Sequence, residues 1–120
     1  MDHLLDRTRH LGIQLPQPVG TRFFIGQLIC HALFEYRGVI IDVDPVFQGS
    51  NEWYEEMAKS RPPKDRPWYQ VLVDGSTTET YVAERNLQAD WCLDPIVHPK
   101  VSLFFSGFDA GVYQSNKTIN

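Results

Sequence analysis

The stretch that decides the fold is Tyr36-Arg-Gly-Val-Ile-Ile-Asp-Val-Asp-Pro45. It predicts a strand that begins at a glycine and ends at a proline, because proline cannot donate a hydrogen bond to a neighbouring strand. Side chains alternate along a strand, so Val39, Ile41 and Val43 are predicted to share one face and to lie in the core. The opposite face begins apolar and becomes acidic toward the proline.

The neighbouring segments continue the β pattern. A short strand is predicted at 28–31, and two longer strands follow at 68–74 and 80–83, with turn residues between them. A helical turn after residue 83 is expected to bury the next leucine. The sequence therefore predicts a mostly β fold, a small and strongly bent antiparallel barrel of the kind that binds other molecules. Its predicted core consists of Val39, Ile41, Val43, Val71, Val73 and Leu87.

Composition sets further bounds. The chain has 120 residues, 42% of them hydrophobic and 22% charged, which is ordinary for one globular domain. No run approaches the roughly 20 apolar residues that span a bilayer, so no membrane association is predicted. No secretory signal is visible at the N-terminus, and the two cysteines are too few for a disulfide framework. These features predict a cytoplasmic protein.

A long insertion at 46–67 is predicted to contain a short helix. Ser50 or Asn51 can cap its N-terminus, acidic residues follow in the early turns, and basic residues come late, which suits the helix dipole. Trp53 and Met57 lie four residues apart and are predicted to dock the helix onto the barrel.

The C-terminal part predicts a second short helix after Pro99. Val101, Phe104, Phe105 and Phe108 follow the spacing i, i+3, i+4 and i+7, which gives one apolar face. We expect this face to dock on the barrel or on another chain.

The domain organisation expected from these patterns has three parts. Residues 1–20 contain several glycines and prolines and are predicted to be a loosely held N-terminal arm. Residues 21–113 form the domain with its C-terminal extension. Residues 114–120 are predicted to be a disordered tail.

A basic island offers the candidate binding residues. Lys59, Arg61, Lys64 and Arg66 lie close together, and Trp68 follows directly. Cations can contact phosphates, and an aromatic ring beside them can stack on a base. The alternative is a solvated loop followed by an ordinary core tryptophan. The overall net charge of −4 argues mildly against nucleic acid as a whole-surface partner.

Catalytic chemistry has no support in the sequence. Asp42 and Asp44 share one strand face, but they are more simply read as a solvated strand end. Cys30, His31 and the other cysteine and histidines lack the spacing of a zinc site. We therefore predict a protein that is not an enzyme and uses no metal or other cofactor.

Five motifs in order resemble a known family. The matching region runs over residues 23–87, and together the motifs are similar to the YccV-like domain of the HspQ heat-shock family, also called the hemimethylated DNA-binding domain. The segments are Ile25-Gly-Gln27, His31, Tyr36-x-Gly-Val-Ile-x-Asp-x-Asp-Pro45, Trp68-Tyr-x-Val71 and Tyr81-Val-Ala-Glu-x-Asn-Leu87.

The resemblance implies an SH3-like barrel in a bacterial, heat-stress-linked protein. It implies an adaptor that promotes proteolysis of denatured or specific client proteins by an ATP-dependent protease such as Lon. The alternative it implies is a regulator of replication initiation that binds hemimethylated DNA. Small ring-like homo-oligomers are a further implication. Short family members carry a basic tail, and the segment Gln114-Ser-Asn-Lys-Thr-Ile-Asn120 does not resemble it.

Overall fold

A computed structural model of the chain describes residues 20–116, so the predictions for 1–19 and 117–120 lie outside the described residues. Within 20–116 the chain forms seven strands, two short helices and one 3₁₀ turn. In chain order these are β1 (Leu28–His31), β2 (Arg37–Asp44), α1 (Asn51–Met57), β3 (Trp68–Val73), β4 (Glu79–Ala83), the 3₁₀ turn (Glu84–Asn86), β5 (Leu87–Ala89), α2 (Val101–Phe104), β6 (Phe105–Asp109) and β7 (Val112–Ser115).

The first five strands form one antiparallel sheet in the order β4-β3-β2-β1-β5, and β6 pairs with β7. This confirms the mostly β prediction. Within residues 20–116 the two edge strands, β4 and β5, are joined through the 3₁₀ turn and not by a ladder, so the hydrogen bonds do not close the sheet into a ring. The turn is held at both ends, because the Glu84 amide donates to the Pro67 carbonyl and the Ala32 amide donates to the Asn86 carbonyl.

A β-bulge in β2 overturns part of the predicted core pattern. Ile40 pairs with Val71 and Asp42 pairs with Gln70, which leaves Ile41 as the extra residue of β2. An extra residue reverses the alternation beyond it. Val43 therefore faces the same side as Ile40, and the prediction that Val43 shares a face with Val39 and Ile41 was wrong.

The sheet is buried on both faces. One cluster lies on one face and contains Phe23, Ile29, Ile40, Val43, Tyr69, Val71, Val82 and Leu87. A second cluster lies under the β6–β7 hairpin and contains Leu28, Val39, Ile41, Leu72, Ile96, Phe105 and Tyr113. Of the six predicted core residues only Val73 is not fully buried; it belongs to neither cluster and lies at the end of β3.

Helix α1 has the predicted start, since the Ser50 hydroxyl accepts a hydrogen bond from the Trp53 amide at 3.0 Å. Trp53 packs against the barrel as predicted, but Met57 is 60% exposed. The helix instead buries Tyr54 and Ala58 against Trp68. Tyr54 and Ala58 also lie four residues apart. The predicted buried face of the helix therefore differs from the observed one by one residue, or about 100° around the helix axis.

The predicted C-terminal helix ends after one turn. Only Val101–Phe104 is helical, and the chain then forms the hairpin of β6 and β7. Ala110 and Gly111 both have positive φ and make the tight turn that this hairpin needs. The apolar residues still dock on the second cluster, because a register irregularity after Phe105 keeps Phe105 and Phe108 on one side.

The predicted tail is also shorter than expected. Gln114 and Ser115 belong to β7, so the boundary at 114 was wrong, and they pair with Gly107 and Phe105 respectively.

Gly38 provides a test of the close packing of β2 on β3. A Cβ at Gly38 would lie 2.5 Å from Val71 Cγ1 and 2.6 Å from the Leu72 carbonyl oxygen. We expect Gly38→Ala to lower the free energy of unfolding by about 2–3 kcal/mol through overpacking.

Gly75→Ala is the matched control, since its φ of +75° carries a backbone cost but no atom lies within 4 Å of the added methyl group. Gly75→Ala should lower the free energy of unfolding by only about 1 kcal/mol. Urea denaturation of both variants measures the difference, and equal losses would contradict this packing.

Candidate nucleic-acid interface

A groove of about 190 Å³ lies beside the 3₁₀ turn and is the candidate site. Its apolar floor is formed by Pro63 and Ala83, and three arginines and one glutamate surround it. We call it the arginine groove, and its lining is Arg22, Pro63, Arg66, Ala83, Glu84 and Arg85. The three arginines come from segments far apart in the sequence, so only the fold brings them together.

The 3₁₀ turn positions Arg85 against the long insertion. The Arg85 guanidinium donates a hydrogen bond to the Ser60 carbonyl, and the Asn86 side-chain amide donates to the Ser60 hydroxyl at 3.2 Å. The Glu84–Pro67 backbone bond brings the same turn alongside Arg66. These contacts fix the part of the insertion that carries the basic island next to the end of β4.

Glu84 fixes the third arginine. Its carboxylate accepts hydrogen bonds from the Arg22 backbone amide at 2.9 Å and from the Tyr69 hydroxyl at 2.5 Å. Burial, together with the bond to Glu84, raises the pKa of Tyr69 above its ordinary value, so the hydroxyl remains a donor at neutral pH. Arg22 is therefore held by its backbone at the groove, and its exposed guanidinium lies 4.8 Å from the centroid of the Phe23 ring.

The groove concentrates most of the positive charge of the described residues. Among residues 20–116 the lysines and arginines that do not lie in or next to it are Arg37 and Lys100. Those that do are Arg22, Lys59, Arg61, Lys64, Arg66 and Arg85. At the groove itself three arginines stand against one carboxylate, Glu84, in a chain whose net charge is −4.

The members of the basic island have different surroundings. Arg61 forms an exposed ion pair with Glu55 at 2.7 Å, and that bond and charge raise the pKa of Arg61. The Lys64 ammonium lies 4.3 Å from the centroid of the Tyr54 ring and donates to the Asn51 side chain. Among residues 20–116, the side chains of Lys59 and Arg66 form no hydrogen bond or ion pair, and Arg66 lines the groove itself.

Trp68, the predicted base-stacking residue, is only 1% exposed. Its ring packs against Phe47 and Tyr81, and its indole N–H donates to the Pro63 carbonyl at 3.1 Å. Trp68 therefore supports the floor of the groove from inside the domain. Trp68 is therefore an ordinary core tryptophan, which was the alternative interpretation of the sequence.

Sequence reasoning missed Arg22 and Arg85. Arg22 precedes the first matching motif, and Arg85 occupies the variable position of Tyr81-Val-Ala-Glu-x-Asn-Leu87. Neither lies near the island in the chain, so no local signal identifies them.

The predicted docking residues of the C-terminal part lie elsewhere. Phe105 is buried, and Val101, Phe104 and Phe108 are half-buried against the second cluster of their own domain. Their use by another chain stays a prediction.

Both members of the acidic pair, Asp42 and Asp44, have hydrogen-bond partners within the domain. Asp44 accepts a hydrogen bond from the Tyr81 hydroxyl at 2.5 Å, and Asp42 accepts one from the Val43 amide. In the part of the chain that the structure describes, no group of three or more histidine, cysteine or acidic side chains could hold a metal ion. No helix there is long and apolar enough to cross a bilayer.

Residues 21–112 match the family model described as "Hemimethylated DNA-binding protein YccV like". The chain belongs to this family. The match covers most of the chain and includes every residue of the arginine groove. The YccV-like domain therefore carries both the sheet and the candidate interface.

Buried His31 holds the β1–β2 loop of the YccV-like domain. Its Nδ1 atom accepts hydrogen bonds from the Leu33 and Phe34 amides, each at 3.1 Å, and its ring stacks on Phe34. Nδ1 can accept these bonds only when it carries no proton. Burial lowers the pKa of His31 below its ordinary value.

This geometry predicts a stability change in mild acid. The unfolded chain protonates His31 at a pKa of about 6.5, before the folded protein does, so the free energy of unfolding should fall as the pH drops below that value toward the lower folded pKa. In His31→Asn the amide oxygen can replace Nδ1 as acceptor and does not titrate. Urea denaturation between pH 7.5 and 5.5 measures the free energy of unfolding, which should depend less on pH in His31→Asn than in the wild type. An identical pH dependence in both proteins would refute the role of unprotonated His31.

Proposed function

We propose that this YccV-like domain binds duplex DNA through the arginine groove and the basic residues beside it. The observation that carries the proposal is that three arginines from separate segments line one groove. Guanidinium groups match phosphate oxygens in geometry and charge, which makes arginine a common residue at phosphate contacts. The family description, which names hemimethylated DNA, supports the same class of ligand.

The groove would contact the backbone of the duplex. Phosphate contacts fix the position of a protein on DNA but do not read sequence or methylation. A preference for hemimethylated sites would therefore require base contacts from the exposed residues around the groove. Such a preference would allow the domain to act in the regulation of replication initiation.

Arg66→Ala tests the interface, because Arg66 lines the groove and has no partner to lose within residues 20–116. Loss of one phosphate contact should reduce the slope of log K against log[salt] by about 0.9, which corresponds to roughly eightfold weaker binding at 0.1 M salt. Fluorescence anisotropy with unmethylated, hemimethylated and fully methylated duplexes measures affinity and slope together.

Lys100→Ala is the matched control, since it removes the same charge from a residue that is paired with Glu79, away from the groove. It should leave the slope unchanged. If the wild-type protein shows no salt-dependent binding to any of the three duplexes, the proposed function is wrong.

We also propose a second function, that of a protease adaptor, on a separate observation. The segment after β5 exposes three large apolar side chains, Trp91, Leu93 and Val97, with Trp91 84% exposed. Arg37 holds this segment in place, because its guanidinium donates to the Asp90 carboxylate and to the Cys92 and Asp94 carbonyls. A fixed apolar surface is suited to unfolded clients or to a protease such as Lon.

Trp91→Ser tests the adaptor function. The wild-type protein should shorten the half-life of an unfolded casein substrate in the presence of Lon and ATP, and Trp91→Ser should reduce that effect severalfold. Met57→Ser replaces another exposed apolar residue, on α1, and should behave as the wild type. An unchanged half-life with the wild-type protein would argue against this function.

A further inference from the structure

Glu84 places a negative charge inside the arginine groove. Both of its hydrogen-bond donors, the Tyr69 hydroxyl and the Arg22 backbone amide, are uncharged groups that bind the same oxygen, Oε2. Within residues 20–116 no ion pair joins Glu84 to any of the arginines around it. The carboxylate is therefore fixed in position among the guanidinium groups without being neutralised by a direct ion pair.

The size of the groove limits what it can hold. A volume of about 190 Å³ is below the roughly 300–1,000 Å³ typical of small-molecule sites. This volume accommodates one phosphate group, and because the groove is open to solvent, the rest of a longer ligand would lie outside it.

We infer that the arginine groove holds a single phosphate group of a nucleic-acid backbone and that Glu84 weakens its affinity for that group. The choice of ligand rests on the proposed DNA-binding function. The three arginines attract the phosphate, and the fixed carboxylate repels it. Glu84 thus has two roles: its hydrogen bonds position Arg22, and its charge sets the affinity.

Glu84→Gln separates the two roles. Glutamine retains a carbonyl oxygen that can accept from the Tyr69 hydroxyl and the Arg22 amide, but it removes the charge. For a carboxylate about 6 Å from the phosphate in a water-like dielectric, the lost repulsion corresponds to roughly threefold tighter binding at low salt. Substitution of a residue that attracts DNA would weaken binding. Tighter binding by Glu84→Gln is therefore expected only if the carboxylate repels the phosphate.

Asp109→Asn is the matched control. Asp109 is exposed in the β6–β7 hairpin, which covers the opposite face of the sheet, and its neutralisation changes the net charge by the same amount. Duplex affinity should rise for Glu84→Gln and stay near the wild-type value for Asp109→Asn. If the two variants change affinity equally, only overall charge matters and the inference is overturned, although DNA binding by the wild type would still stand.

A titration without DNA tests the groove independently. Adding inorganic phosphate at constant ionic strength should shift the amide NMR signals of Arg22, Ala83, Glu84 and Arg85 in the wild-type protein. Glu84→Gln should reach half-saturation at a lower phosphate concentration, and Arg66→Gln at a higher one. The spectra also report whether each variant is folded.

The outcomes separate the two proposals. Shifts at the groove without duplex binding would refute the proposed function and leave a phosphate site. Absence of any shift at these amides, or equal half-saturation in the wild type and Glu84→Gln, would refute the inference whatever the duplex measurements give.

Discussion

The contact on which the rest of this structure depends is the one between Tyr69 and Glu84. The Tyr69 ring is fully buried in the first cluster, and its hydroxyl donates to Glu84 and accepts from the amides of Arg22 and Phe23. One side chain therefore connects the centre of the sheet to the 3₁₀ turn and to the segment that leads into β1. A hydrogen bond to a charged group stabilises by about 1.5–3 kcal/mol, and here it also determines which residues surround the groove.

Two-sided burial explains where this domain can bind a partner. One face is filled by the first cluster, and the other is covered by the β6–β7 hairpin. Both faces of the sheet are therefore occupied by side chains of the domain itself. The arginine groove and the apolar segment held by Arg37 lie in loops and turns at its edges, where binding residues on a rigid scaffold are commonly found.

Local patterns predicted the elements well where one interaction decides the conformation. Pro45 follows β2 directly, Ser50 caps α1, and the turn after β4 buries Leu87. Local patterns failed where a residue far away in the sequence decides the conformation. The bulge at Ile41 puts Val43 into the same cluster as Ile40, and no residue within β2 signals it. The phenylalanines near residue 105 fit a helix and a strand equally well, and pairing with β7 selects the strand.

The sequence by itself determined the class of fold, the positions of the first four strands along the chain, the family, and the basic island at 59–66. Each of these is encoded by neighbouring residues, through side-chain alternation, turn residues and short motifs. Only the tertiary structure decided that Trp68 supports the groove from within and that Arg22, Arg66 and Arg85 line it together with Glu84. These residues are up to 63 positions apart (22 to 85), and their charges add up at one place only because the sheet and its 3₁₀ turn fold the segments onto each other.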